Sequence, residues 1–513
     1  MRSANLSVLL AAALGVSACT FGGGPEAAGF RPTYEPADCS EVAVVMLNEV
    51  SCGMLTVLEY HGDPSAGTIQ VFVTRIEPGV PRPAADPVLS LGGDLGVAPD
   101  YQTLGPQAVG LEREVIAMDV RGTGRSQPSL LCPEVDAGLA TPPVAVPVDD
   151  PGTRSEFLGA IAACHDRLVS QGVDLAAFDL HEMAADAEDL RQVLGIDDWD
   201  VMALGSTSRI ALEYLREFPD HVRAAVLDSP EWPGVDPFVE SVQATRHATR
   251  ELVAACSADP VCDRIAPDLR YDIETLTHRL EARPLVADFR GDRRVLFDAG
   301  WFEVWLRARL SFQRLPSSFV PHAVHLLTRG SDRALHRMAF PLLGEQLCQG
   351  FLPNCWDFLV RSWGVYLSVM CSDVLPFTDR SSLTELAGEN PGFFEAYVHS
   401  PFLDACDAWQ IPPGDPLVAT PVTSDVPTLI IVGRFDPFGM LPYARKAVST
   451  LTNGSLLVSP VNGHQVTGTR EMPESCLIRV RDAWLDAPQA ELDTSCVNRL
   501  HLGYGLPPRN DEQ

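Results

Sequence analysis

Lysine is almost missing from this 513-residue chain: Lys446 is the only one, and 38 basic residues face 68 acidic ones. The net charge of −30 repels phosphate backbones and anionic bilayers, so broad nucleic-acid binding and charge-driven membrane attachment are not expected. The arginines do not cluster, which reads as genomic composition bias, not mechanism. No segment beyond the N-terminus has the ~20 apolar residues that a spanning helix needs. There is no internal repeat. No C-x-x-C pair occurs and no histidine sits at ligand spacing from a cysteine, which argues against zinc. Neither a metal nor a cofactor is expected. What is present is a 46% hydrophobic fraction, enough to bury one large core or two to three ordinary ones, so general disorder is excluded.

The cysteine count of 13 is odd, and in a reducing cytosol so many thiols would call for a metal or redox role. The N-terminus MRSANLSVLLAAALGVSACTFGGG has Arg2, an apolar run Leu6–Val16 and small residues before Cys19. That pattern is a signal peptide over 1–18. Val16-Ser17-Ala18-Cys19 resembles the lipobox of bacterial lipoproteins, which implies that Cys19 becomes the lipid-carrying N-terminus. An ordinary secretory signal with an incidental cysteine is the alternative. Thr20, in place of an aspartate retention signal, leans toward the outer membrane of a Gram-negative host, facing the periplasm or the cell surface. Setting Cys19 aside leaves an even number, suited to six disulfides in an oxidising compartment. Spacing suggests Cys39–Cys52, Cys256–Cys262, Cys348–Cys355 and Cys476–Cys496 as local pairs, with Cys132–Cys164 and Cys371–Cys406 closing longer loops; the connectivity stays open.

Short apolar runs bounded by Gly, Pro or Asp predict strands at Gly67–Ile76, Pro87–Leu91, Val115–Val120, Trp199–Leu204, Ala224–Asp228, Thr428–Val432 and Ser455–Val461. Helical patterns at Glu156–Gln171, His181–Leu194 and Arg209–Glu217 lie between them. Alternation of this kind is the α/β class: a mostly parallel sheet with helices on both faces. From Pro237 to Trp409 the strands give way to helical stretches, with one hairpin-like break at Leu285–Phe297, and then resume. A helical insertion between strands of one domain is a cap over the sheet's ligand-binding edge. The predicted organisation is 19–236 core, 237–415 cap, 416–506 core again and 507–513 tail. Cap aromatics such as Trp301, Trp305, Trp363 and Tyr366 fall at helical spacing and read as core.

Two residues near the C-terminus carry chemistry. Asp436 follows the strand TLIIV, and His464 follows SLLVSPV. An acid that fixes an imidazole's tautomer lets the imidazole act as general base, and the order acid then histidine predicts a serine upstream on a sharp strand-to-helix turn. The segment that should provide it, Ile196–Pro230, resembles the capped α/β-hydrolases of the proline iminopeptidase and tripeptidyl aminopeptidase type. Their elbow runs like W-N-L-Y-G-x-S-Y-G-T-R-L-A-L, and aligned from Trp199 to Leu212, Arg209-Ile210-Ala211-Leu212 falls on R-L-A-L. Met118–Glu134 matches the family's D-x-R-G-x-G-x-S through Asp119, Arg121, Gly122, Gly124 and Ser126. Ser51–Tyr60 resembles its opening hairpin. The resemblance covers almost all of the mature chain.

In that alignment the nucleophile position holds Gly205. The small residues that flank the elbow are Ala203 and Thr207, and a β-branched threonine is a poor fit there. The oxyanion loop reads Gly92-Gly93-Asp94-Leu95-Gly96, with an acid where negative charge would develop. Sliding the register by one makes Ser206 the nucleophile, at the cost of an insertion and of Leu204 in a small-residue position. The resemblance therefore implies one of two functions. The first is an exported lipoprotein with a degenerate hydrolase centre, a non-catalytic binding or scaffold protein. The second is a serine hydrolase of short peptides or small esters, using Ser206, His464 and Asp436, with an oxyanion hole from backbone N–H groups around Gly93, Asp94, Ser206 and Thr207. A peptide or small molecule in the capped pocket is the expected partner, and membrane contact is expected through the lipid anchor alone. The resemblance also implies, by position in the similar family stretch, that Asp373 in VMCSDVLPF is a candidate cap acid for holding a peptide's amino terminus; the alternative is a solvated helix-end acid.

Overall fold

The structure, a computed structural model, describes residues 29–504 apart from 41, 43–48, 79, 81–85, 100–111, 140–144, 148, 290–292, 312–318, 340–361, 389–400, 439–440 and 468–474. Cys19, the Cys348–Cys355 pair and the tail lie outside the described residues.

The strands in chain order are β1 (Thr33–Ala37), β2 (Val50–Tyr60), β3 (Asp63–Ile76), β4 (Val88–Leu91), β5 (Val115–Asp119), β6 (Trp199–Leu204), β7 (Val222–Asp228), β8 (Leu285–Phe289), β9 (Arg293–Phe297), β10 (Thr428–Gly433) and β11 (Gly454–Ser459). Nine of them form one sheet in the order β1-β2-β3-β5-β4-β6-β7-β10-β11, and β8 pairs with β9. From β5 to β11 all neighbours are parallel, whereas β1 to β3 add an antiparallel flank. Helices cover a parallel sheet on both faces, so its strands read as unbroken apolar runs; every residue of β5, β6 and β10 is buried. Sequence order reverses at β4, which pairs with β5 on one side and β6 on the other, and ligands bind such sheets at that reversal, beyond the strands' C-terminal ends.

The helices Pro151–Ser170, Leu180–Leu194 and Ser208–Glu217 follow the periodicity that predicted them. Asp179 caps the second through the Glu182 N–H, and Gly195 ends it in the left-handed region, the usual pairing of an acid N-cap with a C-terminal glycine. The helical insertion divides in two. Residues 237–339, with helices Pro237–Ala258, Leu269–Ala282, Ala299–Leu310 and Phe319–Thr328, build a core of their own around Leu252, Leu276, Trp305, Val324 and Met338. The later part, around Trp363, Leu367 and Trp409, packs into the main core instead, where Trp363 meets Phe157 edge-on. Trp305 and Trp363 are buried, as core aromatics should be.

Among the described residues there are five disulfides, Cys39–Cys52, Cys132–Cys164, Cys256–Cys262, Cys371–Cys406 and Cys476–Cys496, each a pair that spacing suggested. Among the described residues no helix is long and apolar enough to cross a membrane, and no group of histidine, cysteine and acidic side chains is arranged to hold a metal ion.

Candidate active site

The loops that leave β4, β6, β7, β10 and β11 converge on His464. Its Nδ1 donates to Asp436, 3.0 Å from Oδ2 and 3.1 Å from Oδ1. Asp436 is itself held by the Phe438 N–H at 2.8 Å, and the backbone N–H of His464 donates to the Ser311 carbonyl. The two strand ends approach closely because residue 433 is glycine: a Cβ there would collide with the carbonyls of Asn462 and Gly463. The phenyl ring of Phe438 packs 4.9 Å from the imidazole, and the Arg307 guanidinium lies over the same ring, 4.0 Å from its centre, which brings the end of a helix of the insertion near the dyad.

Gly205 begins a 3-10 turn directly after β6 with φ +59, a left-handed conformation that costs any residue with a Cβ about 1–2 kcal/mol. A Cβ built on it would point at the dyad, 3.4 Å from His464 Nε2, 2.7 Å from Asp94 Oδ1 and 2.8 Å from Gln465 Nε2. Residue 205 is therefore the position on this turn whose side chain would face the imidazole. Ser206 faces elsewhere: its hydroxyl accepts the Leu95 N–H at 2.9 Å and donates to Asp94 Oδ1 at 3.2 Å. Asp94 Oδ1 also receives the Gln465 amide at 3.4 Å. The Leu95 N–H, a donor of the loop that would form an oxyanion hole, is thus engaged with Ser206.

Thr207 corrects an expectation. It is fully accommodated, because its hydroxyl lies 2.6 Å from the Leu91 carbonyl, 2.9 Å from that of Leu204 and 3.1 Å from that of Gly93. The β-branch that looked too large supplies a hydroxyl that ties the turn to the Gly93 loop. Asp373 is not a solvated helix-end acid: it is buried, and its Oδ2 accepts the Leu180 N–H at 2.9 Å. Burial, with the charge of Asp179 added, pushes its carboxyl up to about 7. The contacts of Asp373 lie at the start of the helix Leu180–Leu194, and none of its described hydrogen bonds joins it to His464 or Gly205.

Two neighbours escaped the sequence. Asp228, at the end of β7, accepts the Val466 N–H at 2.9 Å and the Thr467 hydroxyl at 2.6 Å, and Ser229 Oγ accepts the Gln465 N–H. These bonds hold the loop beyond His464, in which Gln465 itself is left-handed at φ 52. The V-L-D ending of β7 was the available signal. Burial lowers the imidazole's proton affinity, but Asp436, through its charge and hydrogen bond, and then Asp94 and Asp228, outweigh it and raise His464 to about 9. At neutral pH it is an imidazolium. The D-x-R-G-x-G-x-S stretch, by contrast, is scaffold: Arg121 is fully buried on Asp186 at 2.8 and 2.6 Å, and Ser126 donates to the Asp119 carbonyl.

A mostly parallel sheet that delivers an acid and a histidine from its last strands, with a sharp turn after β6, is the α/β-hydrolase architecture. A model of the alpha/beta hydrolase fold matches residues 87–260, and one of TAP-like proteins matches residues 391–496. The chain has the α/β-hydrolase fold, and its C-terminal part is similar to TAP-like proteins. Its relatives include the serine protease Hip1 of Mycobacterium bovis and of Mycobacterium tuberculosis, each 24% identical over 473 residues that make up 84% of this chain and 85% of theirs. Among solved structures, a proline iminopeptidase of Mycobacterium smegmatis is 13% identical, with 82% of this chain and 96% of that one covered and a TM-score of 0.37. A thermophilic esterase of Thermogutta terrifontis is 15% identical, with 83% and 96% covered and a TM-score of 0.35.

Proposed function

We propose that this chain is an exported, lipid-anchored member of the family that has lost serine-type acyl transfer and uses its capped site to hold a ligand. The observation that carries the reading is the Cβ direction of Gly205, which meets His464 Nε2 at 3.4 Å at a residue with no side-chain oxygen. Without an attacking hydroxyl no acyl-enzyme forms, even with the acid and the imidazole retained. Asp94 adds a second obstacle, since its carboxylate lies where an oxyanion would need donors. The scaffold that once oriented a substrate remains, and the dyad and the insertion are left for recognition. Export and anchoring rest on the N-terminal pattern ending in Cys19.

The competing reading makes Ser206 the nucleophile of a serine exopeptidase or esterase, in keeping with the name of the mycobacterial relatives. Against it stands the Ser206 hydroxyl, which is bonded to Leu95 and Asp94. The two readings separate on turnover of peptidyl aminomethylcoumarins and p-nitrophenyl esters by the mature protein. The expected rate is background, unchanged by Ser206→Ala; a rate that this substitution abolishes overturns the proposal. Anchoring is checked by incorporation of labelled palmitate in cells, which Cys19→Ala should remove.

A further inference from the structure

A net charge of −30 describes the whole chain and not each of its faces. Residues 269–339 of the insertion hold twelve arginines against eight acids, a basic stretch in an otherwise strongly acidic protein. Spread along the sequence, several of these arginines gather in the fold. Arg279 and Arg283 lie one turn apart at the end of the helix Leu269–Ala282, and Arg333 and Arg337 lie one turn apart on the helix Asp332–Ala339; all four are exposed. Arg329 stands at the corner between the helices Phe319–Thr328 and Asp332–Ala339, 2.8 Å from His325 Nδ1. Arg279 reaches the Thr328 carbonyl at 3.4 Å, which joins the two sets. Arg337 lies toward the same helix pair: burial, and then the charges of His325 and Arg337, lower the proton affinity of His322.

Few acids oppose these charges. Asp272 is buried against His325 and Arg329, Asp288 is taken by Arg294, and Glu281 faces His278. Glu274 and Asp332 are the remaining exposed acids of the three helices. Arg283, Arg333 and Arg337 have no ion pair among the described residues. In the same stretch Tyr271 is 60% exposed and Val286, three residues beyond Arg283, is 44% exposed, so cations and large apolar side chains share this part of the surface.

We propose that this face of the insertion docks on the anionic headgroups of a bilayer, a membrane contact additional to the lipid anchor. In physiological salt a charge is felt over about 8 Å, so acids farther than that from the headgroups do not cancel the arginines that touch them. A guanidinium pairs with phosphate oxygens through two parallel hydrogen bonds, and each one close to an anionic leaflet strengthens partitioning about fivefold. The exposed tyrosine and valine favour a bilayer over a dissolved polyanion, because an amphipathic ring and an apolar side chain gain by leaving water at the lipid interface. The docking extends the anchoring reading without depending on it: a lipid on Cys19 would keep β1 within about 50 Å of the leaflet, and the basic face then decides which side of the molecule meets it. Since the same insertion brings Arg307 and Ser311 beside the dyad, docking also sets the dyad's orientation to the membrane.

The test uses the mature protein carrying Cys19→Ala, so that no acyl chain contributes, sedimented with phosphatidylcholine vesicles that contain or lack phosphatidylglycerol. Binding should require phosphatidylglycerol and fall as salt is raised. Arg333→Glu with Arg337→Glu should weaken it about twentyfold or more, because two contributions of about fivefold each are lost and repulsion is added. Arg445→Glu with Lys446→Glu makes the same charge change on the helix Leu441–Val448 and should leave binding within about twofold, since only charges near the leaflet are felt. All four side chains are exposed, and circular dichroism should show both variants folded. No sedimentation with phosphatidylglycerol, sedimentation that does not depend on it, or equal weakening by the two double variants overturns the proposal. Retention of soluble polyphosphate without vesicle binding overturns it too and assigns the face to a dissolved polyanion. Failure of Cys19 to take up palmitate in cells would remove the anchor and leave the vesicle result as it is, so the two failures are distinct.

Discussion

Gly205→Ser adds a side chain at a point where the surroundings are specified atom by atom. The left-handed φ of +59 costs a residue with a Cβ about 1–2 kcal/mol. The new Cβ would stand 2.7 Å from Asp94 Oδ1 and 2.8 Å from Gln465 Nε2, both ends of flexible side chains, so these move while the backbone stays. Their movement breaks the bonds from Ser206 and Gln465 to Asp94, at about 0.5–1.5 kcal/mol each. Together the loss is about 2–5 kcal/mol, read as a lower urea midpoint at unchanged slope. Asp94→Gly breaks the same two bonds and clears the space, so the double variant should keep only the backbone cost plus one share of that loss. A double-mutant cycle should therefore show a coupling of about 1–3 kcal/mol. Fluorophosphonate should leave Gly205→Ser alone unlabelled, because Asp94 opposes the developing oxyanion, and should label residue 205 in the double variant. Additive stabilities together with an unlabelled double variant would refute the geometry.

Three further outcomes follow from the same structure. His464 binds its proton more tightly when folded, at about 9 against 6.5, which is worth about 3 kcal/mol. That stabilisation is complete below the unfolded value and disappears as pH rises through the folded one, so the urea-midpoint difference between wild type and His464→Gln should shrink from about pH 6 to about pH 10. Glu303 is a buried carboxyl whose Oε1 has no hydrogen-bond partner among the described residues, and burial raises it to about 7 despite the nearby Arg307 and Arg246. Its charge is a cost above that pH, so Glu303→Gln should stabilise by up to about 3 kcal/mol at about pH 8 and by little at about pH 4; equal effects at both would contradict this. Cys371 and Cys406 are 35 residues apart in sequence, and replacing both by alanine should lower stability by about 2–4 kcal/mol in urea unfolding.

The strands and the dyad were legible in the sequence for one physical reason. A parallel strand buried on both faces is a short unbroken apolar run, so β6 and β10 stand out, and the residues just beyond such strands fall at the ligand edge. Asp436 and His464 are found by that rule, and Gly205 by the gapless match around it. The anchoring of the site was not legible, because it joins residues far apart in sequence: Asp228 holds Thr467, and Gln465 reaches Asp94. Thr207 was misjudged because a size argument ignores three carbonyls that the fold brings to its hydroxyl. Helical periodicity likewise marks an apolar face without saying which core it meets, so the division of the insertion at Trp363 stayed hidden. The partner of Asp373 was hidden too, because the Leu180 N–H is 193 residues away.

The account turns on one point: among the described residues no serine hydroxyl is hydrogen-bonded to His464 Nε2. Intact-mass spectrometry of the mature protein after treatment with a fluorophosphonate tests it most directly. The account predicts an unmodified chain, alongside complete labelling of an active serine hydrolase in the same tube. An adduct on Ser206 that Ser206→Ala abolishes would contradict it.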